Sequence, residues 1–539
     1  MSGTTVRPAA GSSRRAAARP GRLPFSLTPV GAVIVAATLL ALGLRGFQIF
    51  RPGHLLGVGD YDDGADFGSA LRLIHGVLPY RDFIVVQPPG IVLLMIPSAA
   101  LSPLIGTAGS IAVARVLTVA ASAAAVVLGG LLVRHRGVFA TIVTCGVIAI
   151  YPGSVQAAHT VLLEPWLTVF CLAGAVAVFD GDRLAGSGRR LAWGGAALGF
   201  AGAIKVWAII PVAVIVVLCL LGAERVRRTT RFLAGVAAGC LIPVLPFAVL
   251  APARFYDSVI VAQLIRTDAR TPLGYRLQYL TGLVAWDLST VTYLIAGIVL
   301  VVIVAGTLIA AYRVTRRGPP PLEWFSVVTA ALIVVAFLVP DDFYYHYPAF
   351  LAPFLAMAFA LPAARLLDGW PASPGRATRR ATWPRRSAAA AAGLAVFVLP
   401  FVAGGAESSA TPTYASALPA VDRVIPPGAC VLSDEVALLI SADRFTSSSP
   451  GCSVMVDGFG TSYALAHGQS SLTAGRVAAV AAVWRQAFGA AQYVLLTSYD
   501  PNRIAWMPQL RDYFRANFVP VTGNWAPLQL YVRKGTASR

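Results

Sequence analysis

The sequence has little charge and almost no lysine. Only 12% of its 539 residues are charged, against roughly 25% in a typical soluble protein. Lys205 and Lys534 are the only lysines, so arginine carries the formal net charge of +19. The arginines cluster between apolar runs, which is typical of cytoplasmic loops under the positive-inside rule. This distribution argues against nucleic-acid binding, which the net charge alone would suggest.

Several common catalytic motifs are also missing. The sequence has no CxxC or HExxH pattern, no Walker loop and no GxGxxG fingerprint, and its six histidines are scattered. Four cysteines lie in apolar runs, where small buried thiols are ordinary packing residues. Cys430 and Cys452 lie in a more polar C-terminal region and would be able to pair in an oxidising compartment. The sequence leaves a disulfide and two free thiols equally open.

Long apolar runs are abundant. The chain is 57% hydrophobic, with a mean hydropathy of +0.71, and a membrane span needs about 20 mostly apolar residues. Alternating arginine-rich and arginine-poor loops predict an α-helical polytopic protein with about eleven transmembrane helices, the N-terminus inside and the C-terminus outside. Residues 90–104 are predicted to be a half-buried interfacial segment and not a span.

The predicted organisation has three parts. Residues 1–27 form a basic cytoplasmic tail, and residues 28–404 form a membrane core with a first external loop at 48–109 and a last span at 388–402. Residues 405–539 are predicted to form an extracytoplasmic α/β domain. Its expected strands are at 430–432, 493–496 and 528–532, and its expected helices are at 476–490 and 508–517.

The densest polar cluster opens the first external loop, at residues 60–66. The pattern predicts an amphipathic helix in the membrane interface, with Phe67, Leu71, Ile74 and Leu78 on its apolar face. Acidic residues in a first helical turn are stabilised by the helix dipole, which is a structural explanation for the cluster. The adjacent carboxylates of residues 62 and 63 favour a site, because they repel each other. They would hold a divalent cation such as Mg²⁺ or Mn²⁺, or supply a general base.

Further polar residues lie at the predicted outer ends of spans. They are candidates for binding a phosphate or another part of a substrate. Structural readings stay open for two of them, since a lysine can extend to lipid headgroups and a glutamate can stabilise a first helical turn. The candidates are Arg81, His159, Glu164, Lys205, Arg266, Arg270 and His346.

The order of these motifs resembles the C-type glycosyltransferase superfamily. Asp62 and Asp63 match the acidic pair that opens its first external loop, and a Gly-x-x-Pro-Tyr-x-Asp-Phe stretch follows at 76–83. A Gln-Pro-Pro turn at 87–89 replaces the Lys-Pro-Pro or His-Pro-Pro turn of the family. The Leu-Leu-Glu-Pro at 162–165 is similar to a Leu-Leu-Asp-Pro motif of protein O-mannosyltransferases. The branch also contains the lipid A aminoarabinose transferase and actinobacterial envelope mannosyl- and arabinosyltransferases.

The resemblance implies an inverting transfer from a polyprenyl-phosphate sugar, with mannose or arabinose as the expected sugar. The acceptor would be a glycan, lipid or protein of the cell envelope at the outer face of the plasma membrane. Asp62 or Asp63 would be the general base, and Arg81, Lys205, Arg266, Arg270 and His346 would supply cations for the leaving phosphate. A transporter or flippase of lipid-linked sugars and a non-catalytic envelope-assembly protein are the alternatives. No internal repeat of the kind typical of transporters is evident in the sequence.

Overall fold

The computed structural model describes residues 28–264, 271–369, 414–446, 448–466, 477–498, 503–523 and 525–536. The predicted last span at 388–402 and the predicted domain boundary at 404 lie outside these residues. Both therefore stay predictions.

The N-terminal part of the chain is a bundle of apolar helices. Six of the described helical segments are long and apolar enough to cross a membrane, and one of these, Ser102–Ile150, contains two helices joined by a short turn. The protein is therefore a multi-pass membrane protein. The helices are α1 Pro29–Ile49, α2 Tyr61–Leu73, α3 Gly90–Ala99, α4 Ser102–Val133, α5 Gly137–Ile150, α6 Pro152–Gln156, α7 Leu163–Val178, α8 Gly188–Ile204, α9 Ile209–Leu221, α10 Arg225–Leu250, α11 Pro252–Tyr256, α12 Ala262–Leu264, α13 Leu273–Thr281, α14 Thr290–Thr315, α15 Pro321–Leu338 and α16 Pro348–Gly369.

Helix α3 explains why residues 90–104 are not a span. The helix has ten residues, and at about 1.5 Å per residue it is roughly half as long as a bilayer core is thick. It begins directly after Pro89 and contains Pro97. The structure thus confirms that this segment is too short to cross the membrane.

The arginine-rich turns meet at one end of the bundle. Arg136, between α4 and α5, contacts Asp182 at 2.6 Å and Glu323 at 3.2 Å. Asp182 lies in the turn of a small hairpin formed by β1 Phe179–Asp180 and β2 Arg183–Leu184. The buried Glu323 of α15 also accepts from Arg365 of α16 at 2.8 Å. These ion pairs join the ends of four helices and the hairpin on the side that carries the basic loops.

The C-terminal part is a small α/β module. Its sheet has the order β3-β4-β6-β5, with β3 and β4 parallel and the other neighbours antiparallel. Its elements are α17 Leu418–Val424, β3 Val431–Ser433, α18 Val436–Ser441, α19 Gly458–Leu465, α20 Ala478–Ala490, β4 Tyr493–Leu496, α21 Pro508–Asn517, β5 Phe518–Pro520 and β6 Gln529–Arg533.

Most predicted elements of the module are confirmed. The expected strands correspond to β3, β4 and β6, and the expected helices correspond to α20 and α21, although residue 476 lies outside the described residues. Helices α17, α18 and α19 and the short strand β5 were not predicted. Cys430 and Cys452 are paired, with their Cα atoms 5.1 Å apart, and this disulfide ties the start of β3 to the loop before α19.

Helix α2 forms as predicted, but its packing is different. It ends at Leu73 and not beyond Leu78, and all residues from Asp63 to Arg72 are buried. The prediction of an interfacial helix with one exposed face is wrong, because the module covers the polar side. Arg72 donates to the backbone carbonyls of Thr446 and Ser453, at 2.7 and 3.0 Å. The helix therefore lies between the membrane core and the module.

We expect Gly64→Ala to loosen the contact between α2 and the module. A Cβ atom at Gly64 would lie 2.4 Å from the backbone nitrogen of Ala437 in α18, and overpacking of this kind costs about 1–3 kcal/mol. Thermal unfolding and limited proteolysis of the purified protein would measure the effect. Gly202→Ala is a matched control, since a Cβ atom there meets nothing within 4 Å. Equal melting temperatures for the two variants would contradict this contact.

Candidate functional site

The first turn of α2 fixes the acidic cluster. Asp60 is the N-cap residue, and its side chain accepts a 3.2 Å hydrogen bond from the backbone N–H of Asp62. The second carboxylate oxygen of Asp60 accepts from the Tyr345 hydroxyl at 2.7 Å. Asp62 is half-buried in the first turn, so its side chain is not withdrawn from solvent.

The neighbouring carboxylate of Asp63 has a different environment. Its side chain is fully buried and contacts Arg115 of α4 at 2.7 Å, and it accepts a short hydrogen bond from the Thr160 hydroxyl. Arg115 also donates to Thr160 and to the backbone carbonyl of Leu55, at 3.0 and 2.7 Å. Removing one partner of such a buried pair leaves an uncompensated charge, so Asp63 serves to hold the loop in place.

Three of the predicted residues come together in one buried cluster. Lys205 Nζ lies 2.6 Å from one carboxylate oxygen of Glu164, and His346 Nδ1 lies 2.8 Å from the other. Lys205 follows the end of α8, and its ammonium lies 3.8 Å from the ring centroid of Trp207 and 4.2 Å from that of Tyr347. Glu164 thus orients two groups that can carry positive charge, at the ends of three apolar helices.

Asp66 connects the acidic cluster with this cationic cluster. Its side chain is 3% exposed, and its Oδ2 atom has no hydrogen-bond partner among the described residues. Burial raises the pKa of Asp66 well above its usual range, and the charge of Asp62 adds to this effect, whereas Lys205 opposes it. The two clusters are therefore close enough to act on one carboxyl group.

The remaining predicted residues are distributed differently. The ring nitrogens of His159 lie 2.5 Å from the carbonyl oxygen of Gln156 and 3.0 Å from that of Gly59. The ring therefore holds the segment that leads into α2. The Arg81 side chain is 48% exposed and pairs with Asp82 at 2.7 Å. The structure therefore does not bring Arg81 to the cluster. The other two predicted arginines, Arg266 and Arg270, lie outside the described residues.

The predicted Mg²⁺ or Mn²⁺ site at Asp62 and Asp63 stays a prediction. No group of three or more His, Cys, Asp or Glu side chains among them is arranged to hold a metal ion. The Asp63 carboxylate contacts Arg115 instead of sharing a ligand with Asp62.

The module contributes polar groups to the region around the first turn of α2. The Tyr61 hydroxyl donates to Asp457 at 2.8 Å and accepts from the backbone N–H of Phe459 at 2.9 Å. The guanidinium of Arg503 lies over the Tyr61 ring, 4.1 Å from its centroid, and contacts Glu435 at 2.5 Å. Because Tyr61 immediately precedes Asp62, the module borders the acidic cluster directly.

Several site residues were missed by the sequence analysis. Arg115 lies in the apolar run of α4, and a charged residue at that position is a functional candidate by default, so its charge was a usable signal. Asp66 lay in the predicted cluster but was explained by the helix dipole. Glu435 and Arg503 gave no comparable signal, because nothing in a polar module marks which charged residues face a distant loop.

A family comparison supports a glycosyltransferase. Residues 86–340 match the model of glycosyltransferase family 87. No curated protein matches the chain. The family match begins at the end of the loop after α2 and covers the Glu164 and Lys205 pair and most of the apolar helices, but it does not include Asp62, His346 or the module.

Solved structures show the same fold. ArnT from Cupriavidus metallidurans bound to undecaprenyl phosphate aligns with a TM-score of 0.57 at 15% identity, covering 94% of this chain and 98% of that chain. The oligosaccharyltransferase AglB from Archaeoglobus fulgidus, in complex with an inhibitory peptide and a dolichol-phosphate, aligns with a TM-score of 0.52 at 14% identity. That alignment covers 87% of this chain and 69% of AglB. The resemblance to the C-type glycosyltransferase superfamily and the predicted fold class are confirmed.

Proposed function

We propose that this protein, with its C-type glycosyltransferase fold, transfers a sugar from a polyprenyl-phosphate donor to a cell-envelope acceptor. The observation that supports this most directly is the position of Asp62. Asp62 is half-buried, its charge and that of Lys205 both act on the Asp66 carboxyl group, and the preceding Tyr61 contacts the module. A base beside a cation site is what displacement of a phosphate by a hydroxyl group requires.

The general base in this proposal is Asp62 and not Asp63. Asp63 is fully buried in its pair with Arg115, and a base must reach the proton that it removes. Asp62 is half-buried and is fixed through the backbone bond to Asp60. The carboxylate would accept the proton of the acceptor hydroxyl while that oxygen attacks the anomeric carbon.

The leaving phosphate is assigned to the cluster of Lys205 and His346. Lys205 has three N–H donors, and the contact with Glu164 engages one of them. The cluster lies at the ends of apolar helices, so a polyprenyl tail would lie against lipid-facing surface while its phosphate meets the ammonium. Glu164 orients the ammonium, so that it would stabilise the negative charge that develops on the phosphate oxygen.

The finer assignments follow from the motif resemblance. We propose mannose or arabinose as the sugar, inversion at the anomeric carbon, and a glycan, lipid or protein acceptor. The site would face the outer side of the plasma membrane, with the N-terminus inside and the module outside. The basic turns at the opposite end of the bundle support this orientation, because arginine is enriched in cytoplasmic loops.

The proposal predicts transfer from a lipid-linked donor and not from a nucleotide sugar. Membranes containing the protein would be incubated with labelled polyprenyl-phosphate mannose, polyprenyl-phosphate arabinose or GDP-mannose. Membranes that lack the protein provide the background. We expect label in the acceptor fraction from at least one lipid donor and none above background from GDP-mannose. Transfer from the nucleotide sugar alone would contradict the proposal, as would the absence of transfer from both lipid donors.

A further inference from the structure

The module reaches the acidic cluster through Tyr61, which directly precedes Asp62. Lys205, Glu164 and His346 all belong to the membrane core and lie at the ends of apolar helices. Arg503 and Glu435 belong to the module and reach the acidic cluster through Tyr61. In a displacement reaction the attacking and leaving oxygens lie on opposite sides of the reacting carbon. If the phosphate meets the membrane core, the acceptor must approach from the module.

Glu435 has an unused polar atom at this position. Its side chain is 6% exposed; Oε2 contacts Arg503 at 2.5 Å, and Oε1 has no hydrogen-bond partner among the described residues. A buried polar atom without a partner costs about 1–3 kcal/mol, so a ligand that supplies one is favoured. The negative charges of Asp63 and Asp60 act on Glu435, which places this carboxyl group at the acidic cluster and not at the outer surface of the module.

The chemistry of the pair fits a polyhydroxylated ligand. Burial raises the pKa of Glu435 to about 8, although Arg503 opposes this shift. Near neutral pH a carboxyl group with this pKa is largely protonated, so it can both donate to and accept from a hydroxyl group. Arg503 offers five N–H donors on a planar group. Neighbouring hydroxyl groups of a sugar ring would satisfy both side chains at once.

The seam between the core and the module also contains a cavity, which Asp62, Glu435 and Arg503 do not line. A cavity of about 630 Å³ lies between them. It is lined from the core by Asp82, Phe83 and Arg254, and from the module by Ser453, Thr461 and Gln486. Thr461 belongs to α19, whose N-cap residue Asp457 accepts from Tyr61. The cavity and the Tyr61 contact therefore share one helix of the module.

We infer that Glu435 and Arg503 bind the hydroxylated acceptor of the transfer reaction and position its attacking hydroxyl group near Asp62. This inference rests on the proposed function. It gives the module a role in the site that neither the family match nor the fold assigns, since the match ends at residue 340. The two side chains are positioning residues, because Asp62 remains the group that takes the proton.

The test separates acceptor binding from donor binding. Membranes of a deletion strain of the source organism, which supply the native acceptor, would carry wild type, Glu435→Ala or Arg503→Gln. Transfer of label from polyprenyl-phosphate mannose and polyprenyl-phosphate arabinose would be measured over a dilution series of extracted acceptor. Slow hydrolysis of the same donors without acceptor would be measured in parallel, since water needs no acceptor site.

We expect each variant to raise the KM for acceptor about tenfold, which corresponds to the loss of about one hydrogen bond. The KM for donor and the hydrolysis rate should stay within about twofold of wild type, because the donor cluster is untouched. Glu435→Gln, which keeps polar atoms at the same place, should recover most of the affinity. Glu224→Ala is the matched control, since Glu224 is exposed and pairs only with Arg227 among the contacts of the described residues.

The other outcomes are equally informative. An unchanged KM for acceptor in folded variants would overturn the inference while leaving the proposed function in place. Equal losses of hydrolysis and transfer would also overturn it, because they would place the pair at the donor or the base. If Glu435→Ala fails to fold, the partly exposed Arg503 decides the question. Wild-type membranes that transfer from neither donor would overturn the proposed function, and the inference with it.

Discussion

Replacing Asp62 with Asn should reduce sugar transfer by about 100- to 10,000-fold, the range that a positioned general base contributes. The amide has the size of the carboxyl group but cannot take the acceptor proton. The backbone N–H of residue 62, which donates to Asp60, is unchanged, so the first turn of α2 should form as before. Labelled transfer in membranes, compared at equal protein levels, would measure the loss.

Two further variants make this result specific to Asp62. Asp287→Asn changes an exposed aspartate in another loop and should leave transfer at the wild-type rate. Asp63→Asn should mainly lower thermal stability, because it weakens the buried pair with Arg115. An Asp62→Asn variant with near wild-type transfer would show that another group is the base. Asp63 would then be the next candidate.

Lys205→Met is the second change with a large expected effect, and it should act on both stability and transfer. The buried Glu164 would keep only its contact with His346, and breaking a buried ion pair typically costs about 3–5 kcal/mol. The leaving phosphate would lose a cation, and loss of one electrostatic stabiliser of a transition state typically costs about 100- to 1,000-fold in rate. Melting in detergent and labelled transfer would measure the two effects.

The double variant Glu164→Gln with Lys205→Met separates these effects. It removes both charges together, so most of the lost stability should return, while transfer should stay low. Lys534→Met is the matched control, because Lys534, the other lysine, donates to the carbonyls of Arg515 and Ala516 in the module. If the double variant regained transfer, the pair would have only a structural role, and the phosphate site would have to lie elsewhere.

Local features of the fold could be predicted from the sequence. The helix at residues 61–73 follows from its acidic N-cap and its apolar period, and the strands of the module follow from short apolar runs. The interfacial packing of that helix was not predicted correctly, because the sequence of α2 carries no information on what covers its polar face. Only the structure shows that α18 lies against Gly64.

The site was predictable only in part. The acidic pair and the Leu-Leu-Glu-Pro motif drew attention to Asp62, Asp63 and Glu164, but nothing local distinguishes a base from a buried ion-pair partner. That distinction depends on Arg115, which lies 52 residues from Asp63 along the chain. Lys205 was notable for its rarity, yet its pairing with Glu164 depends on how two helix ends meet. Such pairings are set by the tertiary fold.

The contact between Tyr61 and Asp457 has a consequence for biosynthesis. The two residues are 396 positions apart in the chain, and a ribosome adds about 5–20 residues per second. Tyr61 is therefore synthesised tens of seconds, on the order of 20–80, before Asp457. During that interval the side of α2 that contacts the module has no cover. The first turn of α2 can therefore reach its final packing only after the module has been made.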